Sequence, residues 1–275
     1  MRGESWWWDT GGVLNPVGGC EPVSPGCRNC FAPPWIAIHT HREDIHRDVI
    51  KQVNGRWVFN GEATALSKKH LLWRSLRNWP GAKHPKLGPG RPSLIHVGGM
   101  ADLFYERQPD EVISRVCATI AMSAHIGLLL TKRTARMADY FAALDPRTVS
   151  RWQPHIWAGF SAEDQEWFDR RWPDMRRLAE LGLFIFVSIA PMIGPVRLPD
   201  DLLALGQQTW VIVSGEQRVT GTRPRPMKRQ WVRDLRDQCA EAGVAFFLKQ
   251  MSSGAAIPPD LRGLRQFPSV PLCKS

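Results

Sequence analysis

Residues 155–189 read HIWAGFSAEDQEWFDRRWPDMRRLAELGLFIFVSI and contain two apolar runs separated by a stretch with helical periodicity. The runs at 155–159 and 183–189 have the length and the β-branched or aromatic content of buried strands. Pro173 is expected to break or kink the helix between them. Because two parallel strands need a crossover connection, this order predicts neighbouring strands of a parallel sheet. The apolar face of the helix consists of Trp167, Phe168, Trp172 and Met175.

The same alternation of strands and helices extends from about residue 93 onward, and Gly243 is the predicted stop of the last helix. Four further apolar runs have the strand pattern: 93–97, 126–130, 209–214 and 244–248. Three further apolar faces have the helical pattern: Val112, Ile113, Val116 and Ile120; Met137, Tyr140, Phe141 and Leu144; and Val232, Leu235 and Cys239.

The number of strands decides between the parallel architectures. Six strands, with a weaker candidate at residues 5–8, are too few for a closed eight-stranded barrel. The sequence therefore predicts an α/β fold built on a partial (β/α)6 barrel of parallel strands, with a doubly wound sheet as the alternative. In either architecture, ligands bind at the carboxyl ends of the strands.

We predict a single domain over residues 1–275. The insert between the cysteine loop and the second strand is basic and aromatic. It is either a surface excursion that covers the site or binds a polyanion, or a solvated connection. The parts of the domain are a cysteine loop at 16–35, this insert at 51–92, the strand–helix repeats at 93–251 and an irregular tail at 252–275.

The charge balance favours a polyanionic partner. Thirty-six Lys and Arg residues against 26 Asp and Glu residues give a net charge of +10, which suits nucleic acid, although a soluble enzyme with a basic surface has the same charge. The longest apolar run, 181–195, is interrupted by Ser188 and is shorter than the roughly 20 residues of a membrane span. With no apolar signal segment at the N-terminus, we expect a cytoplasmic protein without membrane partners.

Three of the six cysteines fall in one short segment, CEPVSPGCRNC, with the spacing C-x6-C-x2-C at Cys20, Cys27 and Cys30. In a reducing compartment such clustering favours metal binding over disulfides. A structural zinc site and an ordinary four-iron cluster each use four protein ligands, so three thiolates leave one metal position open for chemistry. Unligated cysteines are one alternative. A zinc site completed by a histidine is another, with the candidates His39, His41 and His46.

Several stretches together resemble a phage-associated family of three-cysteine proteins, which is itself similar to radical S-adenosylmethionine (SAM) enzymes. The stretches are VSPGCRNCFA (23–32), HVGGMADLF (96–104), LLTKR (129–133), WAGFSAED (157–164), VSIAPMIGPV (187–196), WVIVSGE (210–216) and RDQCAEAGVAFFLKQ (236–250).

The resemblance implies a 4Fe-4S cluster held by Cys20, Cys27 and Cys30, with SAM on its open iron. Reductive cleavage of SAM would give methionine and a 5′-deoxyadenosyl radical that abstracts a hydrogen atom. It also implies an electron donor and a separately encoded partner protein. The usual spacing of the enzyme class is C-x3-C-x2-C, so the first gap is longer here, and Asn29 stands where an aromatic residue is common.

The resemblance also assigns SAM-binding roles to residues at the strand ends. The turn at Gly98, Gly99 and Met100 would bind the methionine amino group, and Asp102 either binds the same ammonium or caps the following chain. The family pattern Ser-x-Glu-Pro is altered, since Ala190 stands in place of the Glu and a weakened enzyme is a possible consequence. The remaining candidates are Lys132 for a carboxylate or phosphate, Ser161 for ribose or as a helix N-cap, Glu163, and Glu216.

Basic residues near the last strands are the candidates for contact with substrate or nucleic acid: Arg223, Arg225, Lys228, Arg229 and Lys249. Arginine suits bidentate contact with phosphate, and the insert adds basic residues interleaved with tryptophans, which suit unstacked bases. We therefore expect a radical SAM enzyme acting on a nucleobase or nucleotide in DNA or RNA. The alternatives are the same chemistry on a small metabolite or peptide, and a metal-stabilised nucleic-acid-binding module without catalysis.

Overall fold

The computed structural model describes residues 7–9, 13–39 and 44–269. Within these ranges the strands are β1 (Val13–Leu14), β2 (Val17–Gly18), β3 (Ile50–Val53), β4 (Arg56–Phe59), β5 (Thr64–Ala65), β6 (Leu94–Val97), β7 (Ile126–Thr131), β8 (Ile156–Ala162), β9 (Phe184–Ile189), β10 (Thr209–Ser214) and β11 (Ala245–Gln250). The helices are α1 (Ala32–His39), α2 (Leu71–Arg77), α3 (Asp110–Ala121), α4 (Thr134–Ala142), α5 (Pro146–Trp152), α6 (Gln165–Glu180), α7 (Asp200–Leu203) and α8 (Arg229–Glu241).

The main sheet is parallel throughout and has the order β1-β6-β7-β8-β9-β10-β11. Its six strands from β6 to β11 form a curled half-barrel, and the two-residue β1 lies beside β6 at one edge. This confirms the predicted α/β fold with six parallel strands in a partial barrel. Each predicted strand overlaps an observed one, because continuous apolar runs of this length are typical of strands buried on both faces.

Apolar side chains of the strands alternate between two separate cores. The outer core contains the buried faces of the helices, whereas the inner core, on the concave face, contains no helical residue among those described. A doubly wound sheet would carry helices on both faces, so that alternative is wrong. The inner core consists mainly of aromatic rings: Trp7, Trp157, Phe186, Trp210 and Phe247.

The concave face changes character along the strands. Its aromatic residues come from the middle and the amino-terminal part of the strands. Near the carboxyl ends the inward positions of the alternation hold Ser161, Ser188 and Lys249. The interior is therefore closed by packed rings at one end and polar at the other, which is the end where the helix-connecting loops begin.

The insert and the tail pack against the rest of the chain. The strands β3 and β4 form a hairpin, β5 pairs with β2, and Trp73 and Leu76 on α2 are buried in the outer core. In the tail, Phe267 packs on Trp210 of the inner core. The described part of the insert is thus anchored to the barrel rather than being only a solvated connection.

Two local expectations were wrong. The helix α6 continues through Pro173 without a break, since Trp172 and Met175 on either side are held in the outer core. The strand candidate at 5–8 forms no strand at Trp7 or Trp8, and residues 5 and 6 lie outside the described residues. Trp7 instead fills the concave interior, and the edge strand beside β6 begins at Val13. No helix among the described residues is long and apolar enough to cross a bilayer.

Gly159 is a test of the inner core, because a Cβ at this position would overlap the tip of the Phe186 ring on the neighbouring strand. We expect Gly159→Ala to lower the free energy of unfolding by about 1–3 kcal/mol, the usual cost of overpacking. Urea denaturation monitored by tryptophan fluorescence measures this. In a Phe186→Leu background the same substitution should cost less, since the ring is gone. An equal cost in both backgrounds would show that the clash is not the cause.

Candidate functional site

The cysteine loop is a compact turn that brings three thiols onto one segment. Residues Pro25–Cys27 form a 3-10 turn, in which the amide of Cys27 donates to the Ser24 carbonyl at 2.9 Å, and the Cys30 amide donates to the Cys27 carbonyl at 3.2 Å. The thiols of Cys20, Cys27 and Cys30 are free and half-buried. Cys117 and Cys239, by contrast, are buried in the outer core, as expected for cysteines on apolar helical faces.

Side chains from the strand ends bind this loop and place it across the mouth of the half-barrel. The Ser24 hydroxyl donates to Oε1 of Glu163, directly after β8, at 2.7 Å. The Asn29 amide donates to Oε2 of Glu216, which follows β10, at 3.1 Å. Arg225 donates to the carbonyl of Pro25 at 3.0 Å. The loop is therefore attached at both ends of its turn to the carboxyl edge of the sheet.

The Glu163 carboxylate binds three side chains at once: Ser24, Lys132 and Arg171. It has no solvent exposure and forms ion pairs with Lys132 through Oε1 and with Arg171 through Oε2, the latter at 3.0 Å. Burial opposes ionisation, but the two cations outweigh it and hold the pKa of Glu163 below its ordinary value. A Cβ at Gly26 would overlap the Glu163 carboxylate and approach the Lys132 ammonium to 2.7 Å. Only glycine permits this close passage of the loop.

A second buried ion pair holds the Cys20 end of the loop. The guanidinium of Arg133 donates to Asp102 at 3.2 Å, to Glu106 at 2.7 Å, to the Glu21 carbonyl at 3.0 Å, and to Sγ of Cys20 at 3.5 Å. Burial, followed by the negative charge of Asp102, raises the pKa of Cys20 to about 12. The thiol of Cys20 is therefore neutral unless a further cation binds it.

Asp102 uses both of its carboxylate oxygens within the protein. Its Oδ1 accepts from the Phe104 amide at 3.0 Å and from the Thr131 hydroxyl at 2.7 Å, while Oδ2 accepts from Arg133. Of the two roles considered for Asp102, capping of the following turn is the one these contacts provide.

Glu216 is bound by Arg225, and this pair is partly exposed at the mouth. The Glu216 carboxylate accepts from the backbone amide of Arg225 at 2.8 Å and from its Nε at 3.0 Å. Burial raises the pKa of Glu216, but these hydrogen bonds lower it by more. The pKa of Glu216 is therefore below its ordinary value. Arg225 is thus a structural partner of Glu216 and of the cysteine loop.

The glycine turn after β6 adjoins two buried polar groups without partners. Gly98 has φ +72°, which favours glycine, and a Cβ at Gly99 would lie 3.0 Å from Nδ1 of His96 and 3.7 Å from Oδ1 of Asn15. In the described chain neither ring nitrogen of His96 nor this oxygen of Asn15 has a hydrogen-bond partner. Burial lowers the pKa of His96 to about 3, so the imidazole is neutral. Its ring stacks on Trp8 with a centroid distance of 4.7 Å.

The remaining candidates fall in different places. Ser161 is a buried residue of β8 and not a helix N-cap; Asp164 caps α6 by accepting from the Trp167 amide, because the strand continues past Ser161 to Ala162. Lys249 lies in the concave face, where burial lowers its pKa to about 8. The other positions are Met100, half-buried in the glycine turn; Ala190, directly after β9; Lys228 and Arg229 at the start of α8, away from the loop contacts; and Arg223, described below.

The described residues contain no preformed metal site of either predicted kind. No group of three His, Cys, Asp or Glu side chains there has a metal-binding arrangement, and this includes the three cysteines of the loop as well as a zinc site. His39 stacks on Trp35 of its own helix with a centroid distance of 4.1 Å, and His41 lies outside the described residues. His46 is buried beside Gly18.

Sequence reasoning missed residues that support the site. Arg171 is on an outer helix, eight positions after Glu163, and no motif distinguishes it from the other arginines of α6. Ser24 and Asn29 flank the cysteines, and this proximity was the only available signal. His96 precedes the glycine turn within a strand that reads as purely structural.

The fold and the site define the class: an α/β protein with a parallel half-barrel whose mouth is crossed by a three-cysteine loop held by buried ion pairs. The chain belongs to the family described as "Protein of unknown function (DUF5131)", whose model matches residues 5–258. No curated protein and no solved structure matches it.

The contribution of the buried Glu163 carboxylate to stability can be measured directly. We expect Glu163→Gln to lower the free energy of unfolding at pH 7 by about 3 kcal/mol, because Lys132 and Arg171 would lose their shared anion. The pKa of Glu163 lies below its ordinary value of 4.5, so its contribution is complete above that pH and is lost as the pH falls through the lower, folded-state pKa. Wild type and variant should therefore converge in acid, as measured by urea midpoints against pH.

The matched control is Glu166→Gln, which removes an exposed carboxylate three positions further along the chain, in α6, and its ion pair with Arg170. This change should cost under about 0.5 kcal/mol, as for other exposed helix pairs. Similar losses in the two variants would contradict the central role assigned to Glu163.

Proposed function

We propose that this protein is a radical SAM enzyme whose 4Fe-4S cluster is held by Cys20, Cys27 and Cys30, and that it acts on a nucleobase or nucleotide in DNA or RNA. The observation that supports the proposal most is the place of the three-cysteine loop. It crosses the carboxyl ends of a parallel half-barrel, where α/β sheets bind their ligands. The radical-SAM-like character of the fold is part of the same proposal.

The donor set suits a cluster with one open iron. Three thiols on one loop match a four-iron cluster in which one iron is left for another ligand, whereas a structural zinc site uses four protein donors. Since burial keeps the Cys20 thiol protonated, a metal centre would also supply the positive charge that its ionisation requires.

The cluster and SAM together supply a 5′-deoxyadenosyl radical when bound, and the chain's own residues bind and enclose them. Gly98, Gly99 and Met100 would offer backbone groups to the methionine amino group of SAM, and Ser161 and Glu163 would lie at the strand end where the enzyme class contacts ribose and carboxylate. Lys132 would share its ammonium between Glu163 and the SAM carboxylate. Arg133 holds the Cys20 end of the loop through its contact with Sγ.

The concave interior provides the protected space that such chemistry needs. Packed aromatic rings fill its amino-terminal end, and such packing excludes water from that part of the interior. Nearer the mouth, the neutral imidazole of His96 offers two unpartnered nitrogens, and Lys249 adds a buried amine. These groups suit hydrogen bonding to a base that leaves its stack and enters the barrel.

The proposal requires an electron donor. The phage association, the separately encoded partner protein and the cytoplasmic location all stay predictions. The following experiment separates the non-catalytic nucleic-acid-binding module from an enzyme. Nucleic-acid binding that weakens steeply with salt separates the proposed substrate from the alternatives, a small metabolite or a peptide.

Protein purified without oxygen and reconstituted with iron and sulfide is expected to carry about four irons per chain, the content of a 4Fe-4S cluster. It should form 5′-deoxyadenosine from SAM under reductant. Cys30→Ala should lose the cluster and this product, since a thiolate ligand is removed. Iron analysis, electron paramagnetic resonance and chromatography of the nucleoside measure these results.

Cys239→Ala is the matched control, because this buried thiol lies in the outer core on α8. It should retain iron and product. A four-iron centre that persists in Cys30→Ala, or purified protein that carries zinc in its place, would refute the cluster assignment. Cluster without 5′-deoxyadenosine would favour the non-catalytic module.

A further inference from the structure

A cavity of about 250 Å³ opens beside the cysteine loop. Three segments far apart in sequence build it: the loop between Cys27 and Cys30, Arg56 on β4, and the turn that follows Glu216. Its wall is mostly polar and contains four guanidinium groups. The lining residues are Arg28, Asn29, Arg56, Thr222, Arg223 and Arg225, with Gly221 in the turn.

Most of this positive charge is not neutralised by the protein. Glu216 pairs with Arg225, and no other carboxylate lines the cavity. Arg56 donates only to the backbone carbonyl of Arg28, at 3.3 Å. The side chains of Arg28 and Arg223 have no ion pair or hydrogen bond within the described residues. Three cations without a counter-charge around one cavity form a site for an anion.

The geometry points to a phosphate group as that anion. Guanidinium groups bind phosphate through paired N–H donors, and several of them around one concavity match its tetrahedral oxygens better than a planar carboxylate. A cavity of about 250 Å³ has room for a phosphate group.

Exposed aromatic residues on chain segments that adjoin the cavity favour a strand over a free phosphate ester, although none of them is a lining residue. Trp57 follows Arg56 on β4, so its side chain lies on the opposite face of that strand. The helix α1, which packs against β4, carries Trp35, and Phe31 lies between Cys30 and that helix. These three rings are 37–49% exposed, although large aromatic side chains are usually buried. A phosphate site with exposed rings on the adjoining segments matches single-strand binding, in which successive bases stack while the backbone is held by cations.

We propose that the four-arginine cavity binds a backbone phosphodiester of a single-stranded nucleic acid and that the exposed rings stack its neighbouring bases. This inference rests on the proposed function. It specifies the substrate of that function as a single-stranded nucleic acid bound against the cysteine loop. Arg225 is a positioning residue here, since it joins the cavity to Glu216 and to the carbonyl of Pro25. A strand bound in this way passes beside the mouth of the barrel, where one base can enter.

The test is the binding of a fluorescein-labelled twelve-residue oligothymidylate to the full-length protein, measured by anisotropy at several salt concentrations. Arg223→Ala should weaken binding by about tenfold and reduce the slope of log K against log salt by about 0.7, the value for one phosphate contact in a single strand. Trp57→Ala should weaken binding with little change in this slope, because stacking releases no counterion.

Arg151→Ala is the matched control, since it removes one exposed arginine from α5, outside the cavity, and Arg151 has no side-chain contact among the described residues. Binding and slope should stay close to wild type. Equal effects of Arg151→Ala and Arg223→Ala would show that binding depends on general surface charge and not on the cavity. This result would overturn the proposal. Unchanged thermal unfolding shows that each variant is folded.

Competition by thymidine monophosphate and by inorganic phosphate identifies the source of the phosphate. Both should displace the strand only at concentrations far above that of unlabelled oligothymidylate. Displacement by the mononucleotide at a similar concentration would overturn the strand assignment. Formation of 5′-deoxyadenosine without oligonucleotide binding would remove this inference and leave the proposed chemistry intact. Binding without any 5′-deoxyadenosine would do the reverse.

Discussion

The buried carboxylate of Glu163 binds the cysteine loop to the neighbouring strands and the outer helix of the half-barrel. It accepts from Lys132 at the end of one strand, from Arg171 on the outer helix, and from Ser24 in the cysteine loop. An ionised carboxylate without solvent is stable only when such partners surround it. The position of the loop, and with it the position of the three thiols, depends on this requirement being met.

The two faces of the half-barrel are covered by different elements. Helices cover only the outer face in the described chain, so the concave face has to be filled by its own side chains. Aromatic rings fill it near the strand starts, and serines, Lys249 and His96 replace them nearer the mouth. The half-barrel thus has a floor of packed rings and a polar opening, and the cysteine loop lies across that opening. A reactive ligand in this space is shielded from water on one side and accessible to substrate on the other.

The charged residues at the mouth divide into two groups with different physical roles. The first group is paired inside the protein: Lys132, Arg133, Arg171 and Arg225 each neutralise a carboxylate and thereby hold the loop. The second group lines the adjacent cavity without counter-charges and includes Arg28 and Arg223. Arg225 was expected among the substrate contacts, but its guanidinium is occupied by Glu216 and Pro25. Neighbouring arginines of similar sequence context therefore differ in whether a ligand can reach them.

The amino-acid sequence by itself determined the parallel half-barrel, because apolar runs alternating with helical faces have few other ways to bury their surface. It also identified the cysteine loop and the strand-end residues Asp102, Lys132, Glu163 and Glu216, since parallel strands bring their carboxyl ends to one edge. Only the tertiary structure decided which of these groups touch. Arg171 and Ser24 meet Glu163 across separations of 8 and 139 positions, and no local pattern encodes either contact. The same holds for the four-arginine cavity, because its walls come from segments that meet only when the loop is attached to the barrel.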